Sequence, residues 1–178
     1  MENMMEQSKN KTRVLVFSSQ PSVAKLLLEV LGFHGKAYDS YLENGSTTHS
    51  NSDFAIFESS DFEKASAFAP NIALISSEIL PGQIETVLES IVAGGVLIYH
   101  SNGSEVVENS KNFFRKLEYS GTDFVKSAST FILQTNIGEI PISSSDENLI
   151  KNIDGIKLLA QQFGVMEEDF YEPVMYFA

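Results

Sequence analysis

Apolar residues fall in short runs that alternate with helically spaced stretches. Thr12 to Ser19 (TRVLVFSS) reads as a strand, and Pro21 to Phe33 then carries Val23, Leu26, Leu27, Val30 and Leu31 along one helical face. Pro21 suits the first turn of that helix. Asp53 to Phe57 (DFAIF), Asn71 to Ser76 (NIALIS) and Gly95 to His100 (GVLIYH) are further buried-type strands, and Gln83 to Val92 reads as a helix ended by Gly94 and Gly95. Strands alternating with helices predict an α/β fold, a mostly parallel, Rossmann-like sheet of about five or six strands flanked by helices. Gly45 to Ser52 (GSTTHSNS) reads as a polar loop.

After Ser120 the pattern changes. Phe124–Ala128, Thr130–Thr135 and Glu139–Ser143 are short runs divided by turn residues, which predicts a small antiparallel sheet beside the main one. Ser144 and Glu147 have capping-box spacing, and Leu149, Ile153, Ile156, Leu159, Ala160 and Phe163 mark one helical face that Gly164 stops. Met166 to Phe177 reads as a last helix that Pro173 ends or kinks. Residues 12–178 are expected as a single domain, preceded by a disordered tail over residues 1–11.

Composition narrows the function classes. The 178 residues are 43% hydrophobic and 20% charged, ordinary for a folded globular protein. Twelve Lys and Arg against twenty-four Asp and Glu give a net charge of -12, so the average surface repels nucleic acid and anionic membrane, and neither is expected as a partner. The absence of cysteine removes disulfides, thiolate nucleophiles and zinc-thiolate sites. With no signal-peptide-like segment in MENMMEQSKNK, a cytoplasmic location is expected.

Three stretches resemble the central, ATP-binding domain of the Mur ligase family, which adds amino acids or peptides to UDP-N-acetylmuramate. In GEIPISSSDENLIKNIDGIKLLAQQFGVMEEDFYEPVMYF (Gly138 to Phe177), the residues Asn152, Gly155, Lys157, Gly164, Val165, Asp169, Phe170, Tyr171 and Glu172 match that family's segment around its His-Asn-Leu motif. From Phe54 to Tyr99, FAIFESSDF, APNIALIS and ESIVAGGVLIYHSN resemble successive family segments in the right order. Val30 to Asp39 (VLGFHGKAYD) is similar to the stretch after the family's phosphate loop, especially in the subgroup that reattaches murein peptides. The resemblance implies the Mur central-domain fold, and ATP and Mg²⁺ as the family's cofactors.

The departures fall on the chemistry. The family's phosphate loop, Gly-Thr-x-Gly-Lys-Thr or Ser, aligns with Val16, Phe17, Ser18, Ser19, Gln20 and Pro21. Both glycines are lost, Gln20 stands for the charge-neutralising Lys, and Pro21 stands for the Mg²⁺-binding hydroxyl. Glu58 and Asp61 align with the family's acidic Mg²⁺ run, and read either as a vestige of it or as a solvated turn and helix cap. The family's Asp-His pair is missing where Ser76, Ser77, Glu78 and Ile79 run straight into Pro81. Glu147 or Asn148 takes the place of the motif His, while Asn152 is retained, either for a vestigial nucleotide contact or as a polar group of a helix face.

His34, His49 and His100 show no metal-ligand spacing, and no serine sits in Gly-x-Ser-x-Gly. The aromatic residues Phe113, Phe114, Phe170, Tyr171, Tyr176 and Phe177 read as core packing or as a partner surface. These observations lead to the expectation of a non-catalytic relative of a Mur ligase central domain with no cofactor, acting through a muropeptide-related ligand, a protein partner or self-association. The alternative is an ATP- and Mg²⁺-binding ligase domain to which separate partners supply the UDP-sugar and amino-acid domains.

Overall fold

The structure, a computed structural model, describes all 178 residues. In chain order the elements are α1 (Glu2–Ser8), β1 (Thr12–Phe17), α2 (Pro21–Phe33), β2 (Asp39–Tyr41), β3 (Thr47–Thr48), β4 (Phe54–Ser59), α3 (Phe62–Ala67), β5 (Ile72–Ile75), α4 (Pro81–Ser90) and β6 (Gly95–His100). They continue with α5 (Ser104–Glu108), β7 (Phe114–Tyr119), β8 (Phe124–Ser127), β9 (Thr130–Thr135), β10 (Gly138–Ile142), α6 (Glu147–Ile150), α7 (Ile153–Gln162) and α8 (Glu167–Tyr176). The chain divides into two compact units, Met1–Ser19 with Ala37–Tyr119, and Gln20–Lys36 with Ser120–Ala178. Where the sequence reading expects one domain over residues 12–178, α2 leaves its neighbours in sequence because its apolar face packs on α7 and α8.

The first unit is a seven-stranded sheet in the order β3-β2-β4-β1-β5-β6-β7, parallel except for the β2–β3 pair. The central strands are mostly apolar, as a sheet buried on both faces requires; Val14, Leu15, Val16 and Phe17 of β1 are all fully buried. One face carries a core in which Leu15, Phe17, Phe57, Phe68, Ile75, Val87, Leu88 and Leu97 pack together. At Gly95 the chain enters β6 so close to its neighbours that an added Cβ would lie 2.5 Å from the Asn71 carbonyl oxygen and 2.8 Å from that of Val92. Glycine is therefore required there by contact rather than by dihedral angle.

Two sequence expectations are corrected in this unit. Residues 1–11 are not a disordered tail but hold α1, in which Met4 joins the core and Gln7 accepts a hydrogen bond from the Tyr41 hydroxyl at 2.8 Å. The signal is a short stripe of Met1, Met4, Met5 and Ser8, too brief to stand without the sheet beneath it. The polar loop at Gly45 to Ser52 contains β3, whose two threonines are exposed and pair with Ser40 and Tyr41.

The second unit packs α2, α7 and α8 together and sets α8 against β10 of a three-stranded antiparallel sheet, β10-β9-β8. That small sheet is built from the runs the sequence reading assigns to it. The helix read as continuous from Leu149 to Phe163 is two: Asp146, not Ser144, caps α6 by accepting from the Asn148 and Leu149 amides, and α7 starts after Asn152. Gly164, at φ +82°, closes α7 by placing its own N–H on the Gln161 carbonyl and that of Val165 on Ala160. Pro173 does not end α8, which runs through it. The carbonyl that its missing N–H would have taken belongs to Asp169, and His34 Nε2 lies 2.8 Å from that oxygen. Since a carbonyl only accepts, Nε2 carries the proton there. No helix in the chain is long and apolar enough to cross a membrane.

Candidate functional site

In the parallel part of the sheet every strand delivers its carboxyl end to the same edge. The chain leaves β1 toward β2 on one side and leaves β5 toward β6 on the other, so the neighbouring strands β1 and β5 bound the point where the winding reverses. Ligands of open α/β sheets bind outside such a switch point. Here Ser18 and Ser19 follow β1, and Ser76, Ser77 and Glu78 follow β5.

The carboxylate of Glu78 lies between the ends of these two strands, in a β1–β5 crevice defined by its partners. Its Oε1 accepts from Ser76 Oγ at 2.6 Å, from Ser18 Oγ at 2.8 Å and from the Ser19 amide at 2.8 Å, with Ser19 Oγ more distant at 3.3 Å. Oε2 is buried and takes no hydrogen bond. Burial pushes the Glu78 carboxyl up, but hydrogen bonds from Ser76, its own amide, Ser18 and Ser19 outweigh that and hold it below the ordinary glutamate range. The group therefore stands as an anion at neutral pH.

The surrounding loops are braced. The Ser18 amide donates to the Ser59 carbonyl at 3.1 Å and the Ser76 amide to that of Phe17 at 3.0 Å, continuing the β1 pairings past the strand ends. Asn102 Nδ2 donates to the Ser77 carbonyl at 2.6 Å, and the Tyr119 hydroxyl to that of Ile75 at 3.1 Å. Both bonds tie the exit of β5 to the β6–β7 side of the sheet. Glu78 is the residue that sequence reasoning passes over: it appears there only as part of a shortened loop, and its sole signal is a Ser-Ser-Glu run after a strand.

Of the site residues read from the sequence, Glu58, Asp61 and Asn152 each have other hydrogen-bond partners. Glu58, near the end of β4, is 5% exposed, and its Oε2 accepts the Glu43 amide at 3.1 Å. Glu43 in turn accepts from the Ser60 amide and hydroxyl, so the two acids lace the β2 and β4 exits together. Asp61 caps α3, its Oδ1 accepting from the amides of Glu63 at 2.9 Å and Lys64 at 3.2 Å. Asn152 belongs to the second unit, where it is fully buried ahead of α7 and donates to the Asn148 carbonyl at 3.0 Å. Glu147 and Asn148 are exposed in the first turn of α6.

No protein-family model matches the sequence, and no curated protein matches it. Solved structures do match its fold. MurF from Acinetobacter baumannii superposes with a TM-score of 0.72 at 13% identity, covering 98% of this chain and 47% of that one. The UDP-N-acetylmuramate:L-alanyl-gamma-D-glutamyl-meso-diaminopimelate ligase from Neisseria meningitides gives a TM-score of 0.69 at 13% identity, covering 98% and 70%. MurF ligase from Thermotoga maritima, solved in complex with ADP, gives 0.68 at 12% identity, covering 96% and 51%. The fold is that of a Mur ligase central domain, as the sequence resemblance implies. The chain spans about half the length of the MurF structures it matches.

Proposed function

We propose that this chain is a non-catalytic domain of Mur ligase fold that works by binding within peptidoglycan precursor metabolism, through a muropeptide-related ligand or a protein partner. The observation that carries this reading is the Glu78 carboxylate on Ser18, Ser19 and Ser76. In the resemblance set out above, Ser18 and Ser19 stand at phosphate-loop positions. An amide that would face a phosphate there is already bonded to the chain's own anion, and a second anion beside it meets like-charge repulsion. Phosphoryl transfer depends on positioned positive charge around the transferred group, typically worth several powers of ten in rate. Gln20 and Pro21 hold the positions that would supply that charge and the Mg²⁺ hydroxyl.

The test is thermal unfolding with ATP and Mg²⁺, backed by phosphate release with UDP-N-acetylmuramate and candidate peptides. A nucleotide present at 100 times its dissociation constant stabilises by about 2.7 kcal/mol, which is readily seen as a shift in melting temperature. The expected result is no shift and no phosphate release above a heat-killed control. A shift, or turnover that follows the protein through purification, would replace this reading with that of an ATP-dependent ligase domain.

A further inference from the structure

Four donors aimed at one oxygen, two of them buried hydroxyls, make a site for an anion whichever molecule supplies it. Ser18 is 1% exposed and Ser76 2% exposed, and both are held by backbone bonds between strand ends rather than by Glu78 itself. The backbone at Ser18 and Ser76 is therefore anchored independently of the carboxylate. Ser76 Oγ has a second acceptor within reach, the Phe17 carbonyl at 3.1 Å. The Ser19 amide has Glu78 Oε1 as its acceptor at 2.8 Å.

We propose that the β1–β5 crevice is an oxyanion site occupied by an internal ligand, and that without the Glu78 carboxylate the same donors take a free monocarboxylate. The inference rests on the non-catalytic reading, because it treats the crevice as filled by the chain itself. The ligand class follows from the atoms concerned. Replacing Glu78 by Ala removes one methylene and the carboxylate group, which are the heavy atoms of acetate. Acetate can put an oxygen where Oε1 was and its methyl where the side chain ran. Orthophosphate brings a tetrahedral group and more charge into a space shaped by a planar one, and is the weaker ligand.

The experiment compares melting temperatures of the wild-type chain, Glu78→Ala and Glu78→Gln in sodium acetate, sodium phosphate and sodium chloride of equal ionic strength. Glu78→Ala should melt roughly 5 °C lower than wild type, for the loss of charge-assisted hydrogen bonds. Acetate at tens of millimolar should restore part of that shift with saturation, phosphate less, and chloride none. Wild type and Glu78→Gln, whose side chains still fill the crevice, should not respond. Acetate that fails to raise Glu78→Ala, or that raises all three proteins alike, overturns the proposal. If Glu78→Ala does not fold, the Ser19 amide proton decides: it should resonate far downfield in wild type and move upfield in Glu78→Gln, and an unchanged resonance counts against the site. An ATP-dependent shift of the wild-type chain would sink the non-catalytic reading while leaving the acetate result to stand or fall alone.

Discussion

Glu78 puts its charge on one oxygen that four donors reach and leaves the other oxygen buried and unbonded. Because its carboxyl is held below the ordinary glutamate range in the folded chain, it favours folding above that range, and its contribution is lost as pH falls through the lowered value. Urea unfolding at a series of pH values should therefore show wild type losing stability in acid more steeply than Glu78→Gln. Parallel profiles would mean that the carboxylate is not held as described. Asp61 makes a separate case, since its bonds are those of a helix cap. Asp61→Ala should cost roughly 1 kcal/mol and Asp61→Asn much less, because Asn caps nearly as well. A metal ligand would behave otherwise, with Asp61→Asn abolishing any stabilisation by Mg²⁺.

Elements in this chain lean on single contacts from elsewhere. Helix α8 runs through Pro173 because His34, at the end of α2, supplies the donor that proline lacks. His34→Ala should cost about 1 kcal/mol, the usual net worth of one hydrogen bond. In a Pro173→Ala background the helix regains its own N–H, so the same change should cost clearly less; additive effects in a double-mutant cycle would refute the coupling. Helix α1 depends likewise on Met4, which sits at 7% exposure among core residues. Met4→Ala should destabilise by about 2 kcal/mol, the lower end for such core truncations because a terminal helix can give way. Hydrogen exchange should find the α1 amides opened by the change.

For the molecule as a whole the net charge of -12 is the dominant long-range term. Self-repulsion among exposed carboxylates opposes the compact state and is screened within a Debye length of roughly 10 Å at 0.1 M salt. The melting temperature should rise as sodium chloride is added from low ionic strength. A flat or falling dependence would show that local ion pairs such as Lys157 with Glu167, at 3.0 Å, outweigh the net charge.

Strand and helix spacing along the sequence was enough to place β1, α2, β5, α4, β6, the small antiparallel sheet and the stop at Gly164, because each follows from local periodicity or from one backbone conformation. The fold class followed from their alternation. What tertiary structure alone decided were contacts made at a distance. Glu2–Ser8 is a helix only where a sheet receives Met4, Asp39–Tyr41 is a strand only because β4 offers an edge, and Thr47–Thr48 only because β2 does. Proline continues a helix only where His34 covers the open carbonyl. The same holds for the site: Gln20 and Pro21 could be read as losses from the sequence, but a carboxylate sixty residues from Ser18 in the chain becomes its hydrogen-bond partner only when β1 and β5 lie side by side. No local pattern encodes that neighbour, since strand order is set by the burial of whole strands rather than by the residues at their ends.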